Sequence, residues 1–250
     1  MSATASPEPE LPAGIPPIWS EARWGWELAG LLAEAGLRPP RRQPDAQPVM
    51  LIPGFMAGDA SLLVLRAWLR MRGHPIAMSG MRVNVDCAER AVTRLQEQVR
   101  EFAASSGTPV MLIGQSRGGT LARCLAVREP DSVDRLVMLG SPILDQLAVS
   151  APVLRVVRSV ARLAELGLPG TFTRACSDGE CCAPFRRDLA SRLPAAVRAT
   201  TIYSRTDGIV DWRACLDPDA EQVQVNSSHC GMAVNAEVYR VLERVLGGDQ

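Results

Sequence analysis

Pro109-Val110-Met111-Leu112-Ile113-Gly114-Gln115-Ser116-Arg117-Gly118-Gly119-Thr120 is the stretch on which the reading of this chain turns. Val110 to Ile113 run apolar without a break, as a strand buried on both faces does. Leu121 to Arg128 continues as a helix until Pro130 stops it. Ser116 therefore falls on a strand-to-helix turn. A residue held there takes a strained backbone conformation, and the turn closes only if the positions two before and two after it are nearly free of side chain. Gly114 and Gly118 occupy those positions. A G-x-S-x-G pentapeptide alone is weak evidence; the strand before it and the helix after it make Ser116 a candidate nucleophile.

Outward from this turn, the chain from Pro48 onward alternates apolar strands with helices, the pattern of a mostly parallel sheet fed by crossovers. The expected strands are Val49 to Ile52, Pro75 to Met78, Val110 to Ile113, Arg135 to Leu139, Thr200 to Tyr203 and Gln222 to Val225. Ala88, Val92, Leu95, Val99 and Phe102 mark one buried helical stripe. After Pro142 about 55 residues pass before the next strand, too many for one crossover helix. Within them Val153, Val156, Val157, Val160 and Leu163 line one side of a helix, with Arg155, Arg158 and Arg162 on another. Residues 143–199 are read as a helical cap inserted into a domain spanning 48–250. Residues 1–47 are read as a disordered tail, an amphipathic helix from Trp19 to Leu37 and a polar linker, Arg38 to Gln47. The tryptophans of that helix are expected to pack on the main domain; a membrane-surface role is the less favoured reading, since the segment is not basic.

Composition narrows the classes of partner. The 27 basic residues, all arginine, balance 27 acidic ones, so nothing in the charge points to nucleic acid. No run approaches the roughly 18 apolar residues of a membrane span. The opening residues lack a basic start and an apolar core, so no export signal is expected and a cytoplasmic location is. An odd count of seven cysteines argues against a full disulfide framework. Cys176, Cys181 and Cys182 cluster without C-x-x-C spacing, and no metal is expected; disulfides among these, Cys215 and Cys230 stay open.

A serine hydroxyl needs a base within reach and a group to orient that base. Of two histidines, His74 precedes an early strand, away from the ligand-binding end of a parallel sheet, and reads as structural. His229 follows the last strand and is the candidate general base. Tyr203-Ser-Arg-Thr-Asp207-Gly-Ile-Val-Asp211-Trp212 offers two carboxylates. Asp207, the first after its strand, is the preferred orienting acid; Asp211 is the alternative, or else the cap of a helix from Trp212 to Leu216. For the oxyanion the backbone N–H groups of Arg117 and Phe55 are the candidates, with Met56 as fallback in the loop Pro53-Gly54-Phe55-Met56.

With these motifs in the order Ser, Asp, His, the chain from Pro48 to Leu246 resembles the α/β-hydrolase superfamily, and within it bacterial lipase- and esterase-like members. Pro53 stands where those relatives carry histidine, and Arg117 where they often carry a smaller, glutamine or apolar residue; neither removes a backbone donor. The resemblance implies an eight-stranded sheet, no metal and no organic cofactor. The leading functional reading is a serine hydrolase cleaving esters of hydrophobic acyl groups through an acyl-enzyme. Acyltransfer, thioester or amide cleavage would use the same residues, and a non-catalytic binding module is the reading from another class.

Overall fold

The computed structural model describes residues 14–37 and 46–247. The expected tail (residues 1–13) and most of the linker (38–45) lie outside the described residues. Six strands form one sheet: β1 (Val49–Ile52), β2 (Ile76–Met78), β3 (Val110–Gln115), β4 (Val133–Leu139), β5 (Arg198–Tyr203) and β6 (Glu221–Gln224). Their order is β2-β1-β3-β4-β5-β6, and every neighbouring pair is parallel. Each strand lies within two residues of its expected bounds. The described residues contain these six strands and not the eight implied by resemblance, so that expectation is corrected.

The continuous apolar strands are explained by burial on both faces. In β1, Val49 and Leu51 join a cluster built with α1 (Trp24–Leu37), α2 (Leu63–Met71) and α8 (Ala236–Gly247). Met50 and Ile52, one residue out of phase, join the opposite cluster with α3 (Ala88–Ser106), α4 (Arg117–Arg128) and α7 (Ala183–Ala190). Ala91, Val92, Leu95 and Val99 are the buried face of α3, while Ala88 and Phe102 only flank it. Each fully buried Leu or Val here contributes roughly 1.5–3 kcal/mol by leaving water.

A buried ion pair also ties the second layer together. Arg123 of α4 meets Asp217 at 2.5 Å and donates to the carbonyls of Leu189, in the last turn of α7, and Ser191, just after it. Asp217 has no exposed side-chain surface, so loss of either partner would strand a buried charge, at a cost of about 3–5 kcal/mol.

The connection from β4 to β5 holds α5 (Ala151–Glu165), the single turn α6 (Ala175–Asp178) and α7. Along α5, Arg155, Arg158 and Arg162 face solvent as expected, and Val160 is buried. Leu163, by contrast, is exposed. The N-terminal helix docks through Leu28 and Leu31, but Trp19, Trp24 and Trp26 are exposed, which corrects the expectation that they pack inward. No helix among the described residues is long and apolar enough to cross a membrane.

From β1 the chain runs to β2 at one edge and returns to β3 on the other side of β1 before proceeding outward. The sheet order therefore reverses between β1 and β3. Loops leaving the carboxyl ends of two such strands diverge and leave a crevice, where ligands of open α/β sheets bind. The loops carrying Phe55 and Ser116 are the two that leave β1 and β3.

Candidate active site

Ser116 sits between β3 and α4 with φ 52° and ψ −124°, one of two non-glycine residues with positive φ among those described. Such a conformation costs on the order of 1–3 kcal/mol and persists only where the surroundings impose it. They do so by close packing. A Cβ on Gly114 would fall on the carbonyl of Gly118, and one on Gly118 would fall on the carbonyl of Ile52. The Ser116 amide donates to the Leu139 carbonyl at 2.7 Å, fixing the turn against β4.

Asp207 and His229, from the loops after β5 and β6, form a buried pair: Nδ1 of His229 lies 2.6 Å from Oδ2 of Asp207. The other carboxylate oxygen accepts the amides of Ile209 and Val210, both at 2.8 Å. With all nearby donors turned toward it, the carboxylate assigns the proton to Nδ1 and leaves Nε2 as the basic nitrogen. Burial works against a charged imidazole. It is outweighed by the charge and hydrogen bond of Asp207 and by the charge of Glu21, and His229 titrates above its ordinary value.

Asp211 does something else. It accepts the Arg213 amide at 3.0 Å and pairs with the Arg213 guanidinium at 2.9 Å, capping the short 3-10 turn Trp212–Cys215. Of the two carboxylates left open by the sequence, only Asp207 meets the histidine. His74 is likewise accounted for: its Nδ1 lies 2.8 Å from the Gln47 carbonyl, and burial lowers its pKa.

Four residues that sequence reasoning missed hold these loops. Glu21, buried in the 3-10 turn Ile18–Arg23, accepts the amides of Gly208 (2.8 Å), His229 (3.1 Å) and Cys230 (2.8 Å). Glu27 of α1 accepts the amide and hydroxyl of Ser228, both at 2.7 Å. Gln115, next to the candidate nucleophile, donates to the His229 carbonyl at 3.1 Å. The fourth missed residue is Asn84. It donates to the Pro53 carbonyl at 2.8 Å, its backbone accepts from Met56 and donates to Ala57, and its side-chain oxygen accepts from Arg117. These contacts span from about 30 to more than 200 positions, so no local pattern announces them.

The Met56 amide is thus committed to the Asn84 carbonyl at 3.3 Å. Among the described residues the amides of Phe55 and Arg117 have no acceptor. Arg117 opens α4, where the first amides lack intrahelical partners. A Cβ on Gly54 would lie 3.2 Å from Cβ of Ser116, so the Phe55 loop runs directly beside the serine. The Arg117 side chain turns away from this point. Its guanidinium bonds to Asn84 and the Asp86 carbonyl and lies 5.7 Å above the Phe172 ring; burial lowers its pKa to about 10.

Ser116, Phe55, Arg117 and His229 share the wall of one cavity of about 640 Å³. Val153, Val156 and Val157 of α5, with Leu144, Leu147 and Phe172, make its wall mostly apolar. No hydrogen bond joins Ser116 Oγ to His229 among the described residues.

The sequence matches no protein-family model and no curated protein. The structure is similar to that of a lipase of Bacillus licheniformis in its mature form, with a TM-score of 0.61 and 16% identity over 82% of this chain and 94% of that one. It is also similar to a soluble variant of monoglyceride lipase from Saccharomyces cerevisiae (TM-score 0.56, 14% identity, 81% of this chain and 86% of that). A third likeness is to an α/β hydrolase enzyme from the metagenome of lagoon sediments of Mar Chica, Morocco (TM-score 0.52, 20% identity, 81% and 90%). At these identities the likeness speaks to fold.

Proposed function

On the α/β-hydrolase fold that these likenesses establish, we propose that the protein is a serine hydrolase cleaving carboxylic esters of hydrophobic acyl groups. Ser116 Oγ attacks the ester carbonyl while Nε2 of His229 takes its proton. Asp207 holds the imidazole in the required tautomer and stabilises the imidazolium. The amides of Phe55 and Arg117 receive the oxyanion, a contribution of about 3–4 kcal/mol for one good donor. The imidazolium then protonates the leaving alcohol, and an acyl-Ser116 ester remains. Water, deprotonated by His229, attacks that ester and restores the serine.

The observation that carries the proposal is a strained serine on the same cavity wall as an imidazole bonded to a buried carboxylate. Perturbed titratable groups in a cleft are a functional signature, and here the base sits above its usual pKa. The apolar wall supports hydrophobic acyl groups, with residues 143–199 acting as a cap that supplies most of it. The test is hydrolysis of p-nitrophenyl butyrate by the purified chain. Ser116→Ala is expected to lower turnover by 10,000-fold or more, in order of magnitude, with an unchanged circular dichroism spectrum. Undiminished hydrolysis by that variant would overturn the proposal.

A further inference from the structure

Seven cysteines are free in the structure, and four of them meet. The sulfurs of Cys87, Cys176, Cys181 and Cys182 all lie within 4.8 Å of one another. Cys87 sits immediately before α3, Cys176 in α6, and Cys181 and Cys182 in the 3-10 turn Glu180–Cys182. The sequence showed only the last three as a cluster. The fourth comes from 89 positions upstream of Cys176, brought there by the fold.

The geometry points to a structural tetrathiolate site for one soft divalent metal ion, with zinc as the ion of choice. A tetrahedral centre with metal–sulfur bonds of about 2.3 Å has sulfur–sulfur edges of about 3.8 Å. The observed separations are 3.3 Å for Cys87 to Cys182, 3.7 Å for Cys176 to Cys181 and 3.9 Å for Cys181 to Cys182. A pair of disulfides would instead bring two pairs to about 2.05 Å and leave the others apart. Four sulfur ligands on a tetrahedron are a donor set for zinc or iron and not for magnesium or calcium.

Charge around the cluster fits the same reading. Four thiolates around a divalent ion carry a net charge of about −2. The half-buried Arg117 guanidinium bonds to an amide and a backbone carbonyl, and both it and Arg90, which pairs first with Asp86, lie where negative charge on these sulfurs stabilises them. With four protein ligands the ion keeps no open position, so its role is to fasten and not to react. What it fastens is the cavity wall. Phe172, which packs 6.0 Å from Phe55, lies four residues before Cys176, and Cys176, Ser177 and Phe185 line the cavity. The ion would staple this segment to the start of α3.

The experiment is metal analysis of the full chain purified under reducing conditions without an affinity metal, followed by thiol counting after unfolding. About one zinc or iron per chain is expected, with seven thiols titrating once the metal is removed. Cys182→Ser and Cys87→Ser should each lower metal content to below about 0.1 per chain. Should those variants fail to fold, cobalt added to the metal-stripped wild type supplies the second readout: intense visible bands of tetrahedral thiolate coordination at one equivalent. Three titratable thiols, the count left by two disulfides, would overturn the proposal. So would seven thiols in folded protein that takes up neither zinc nor cobalt.

Discussion

Glu21→Gln removes a carboxylate that stands behind the loops carrying Asp207 and His229, and its effect follows from the hydrogen bonds it makes there. Oε1 accepts the amides of Gly208 and His229 and Oε2 that of Cys230. A glutamine amide has one acceptor oxygen, so at best two of the three N–H groups keep a partner and the third faces an NH2 group. A buried unpaired donor costs about 1–3 kcal/mol, and weakening two charge-assisted bonds to neutral ones adds about 1 kcal/mol. The sum, about 2–4 kcal/mol, corresponds to a Tm lower by roughly 5–15 °C in a domain of this size. Catalysis carries a separate signature. Glu21 is one of the charges that raise the pKa of His229, and the base must be neutral to accept the serine proton. Wild-type kcat/KM should therefore rise with pH through a midpoint above 6.5, and Glu21→Gln should move that acid limb to lower pH. Differential scanning calorimetry and a pH profile with p-nitrophenyl butyrate measure the two effects. A variant with wild-type Tm and an unshifted limb would refute the reasoning that Glu21 clamps and polarises the site.

Asp207→Asn should lower kcat by roughly 10,000-fold, because the amide favours the wrong imidazole tautomer; retention of even a tenth of the activity would argue against its orienting role. Asn84→Ala frees the Pro53–Ala57 loop from Arg117 and should lower kcat by about 10- to 100-fold with KM nearly unchanged, as expected of a group that positions an oxyanion donor. An effect on KM alone would assign Asn84 to substrate binding instead. Val157→Trp narrows the apolar cavity. Each methylene shut out forfeits about 0.8 kcal/mol, so exclusion of four amounts to about 3 kcal/mol, or roughly 200-fold in kcat/KM for the longer ester, while acetate is spared. An equal loss at all chain lengths would place the acyl group elsewhere.

The central strands β1 and β3 were legible because they are buried on both faces and so are apolar, as Val49–Ile52 and Val110–Ile113 show. Ser116 was legible because its turn demands Gly114 and Gly118, a steric rule expressed within five residues. Asp207 and His229 were singled out from their position just past strand ends, which left Asp211 open; in the structure Asp207 meets the imidazole and Asp211 caps a turn. Nothing in the loop's own sequence showed that the Met56 amide, unlike that of Phe55, is occupied by the Asn84 carbonyl. Glu21, Glu27 and Asn84 were invisible because a lone polar residue carries no local signal of a partner up to 209 positions away. The exposed tryptophans are the reverse case, where an apolar pattern suggested packing that the helix achieves with Leu28 and Leu31 instead. The approach of Cys87 to the other three cysteines did not show in the sequence because Cys87 lies 89 positions upstream of Cys176 and the fold alone brings them together.

The central claim is that one hydroxyl, on Ser116, is activated by His229. Fluorophosphonate labelling of the folded chain, read by intact mass and peptide mapping, tests it most directly. The account predicts a single adduct on Ser116, absent from Ser116→Ala and slowed by orders of magnitude in His229→Ala. Labelling at another residue, or at Ser116 at the same rate without the imidazole, would contradict it.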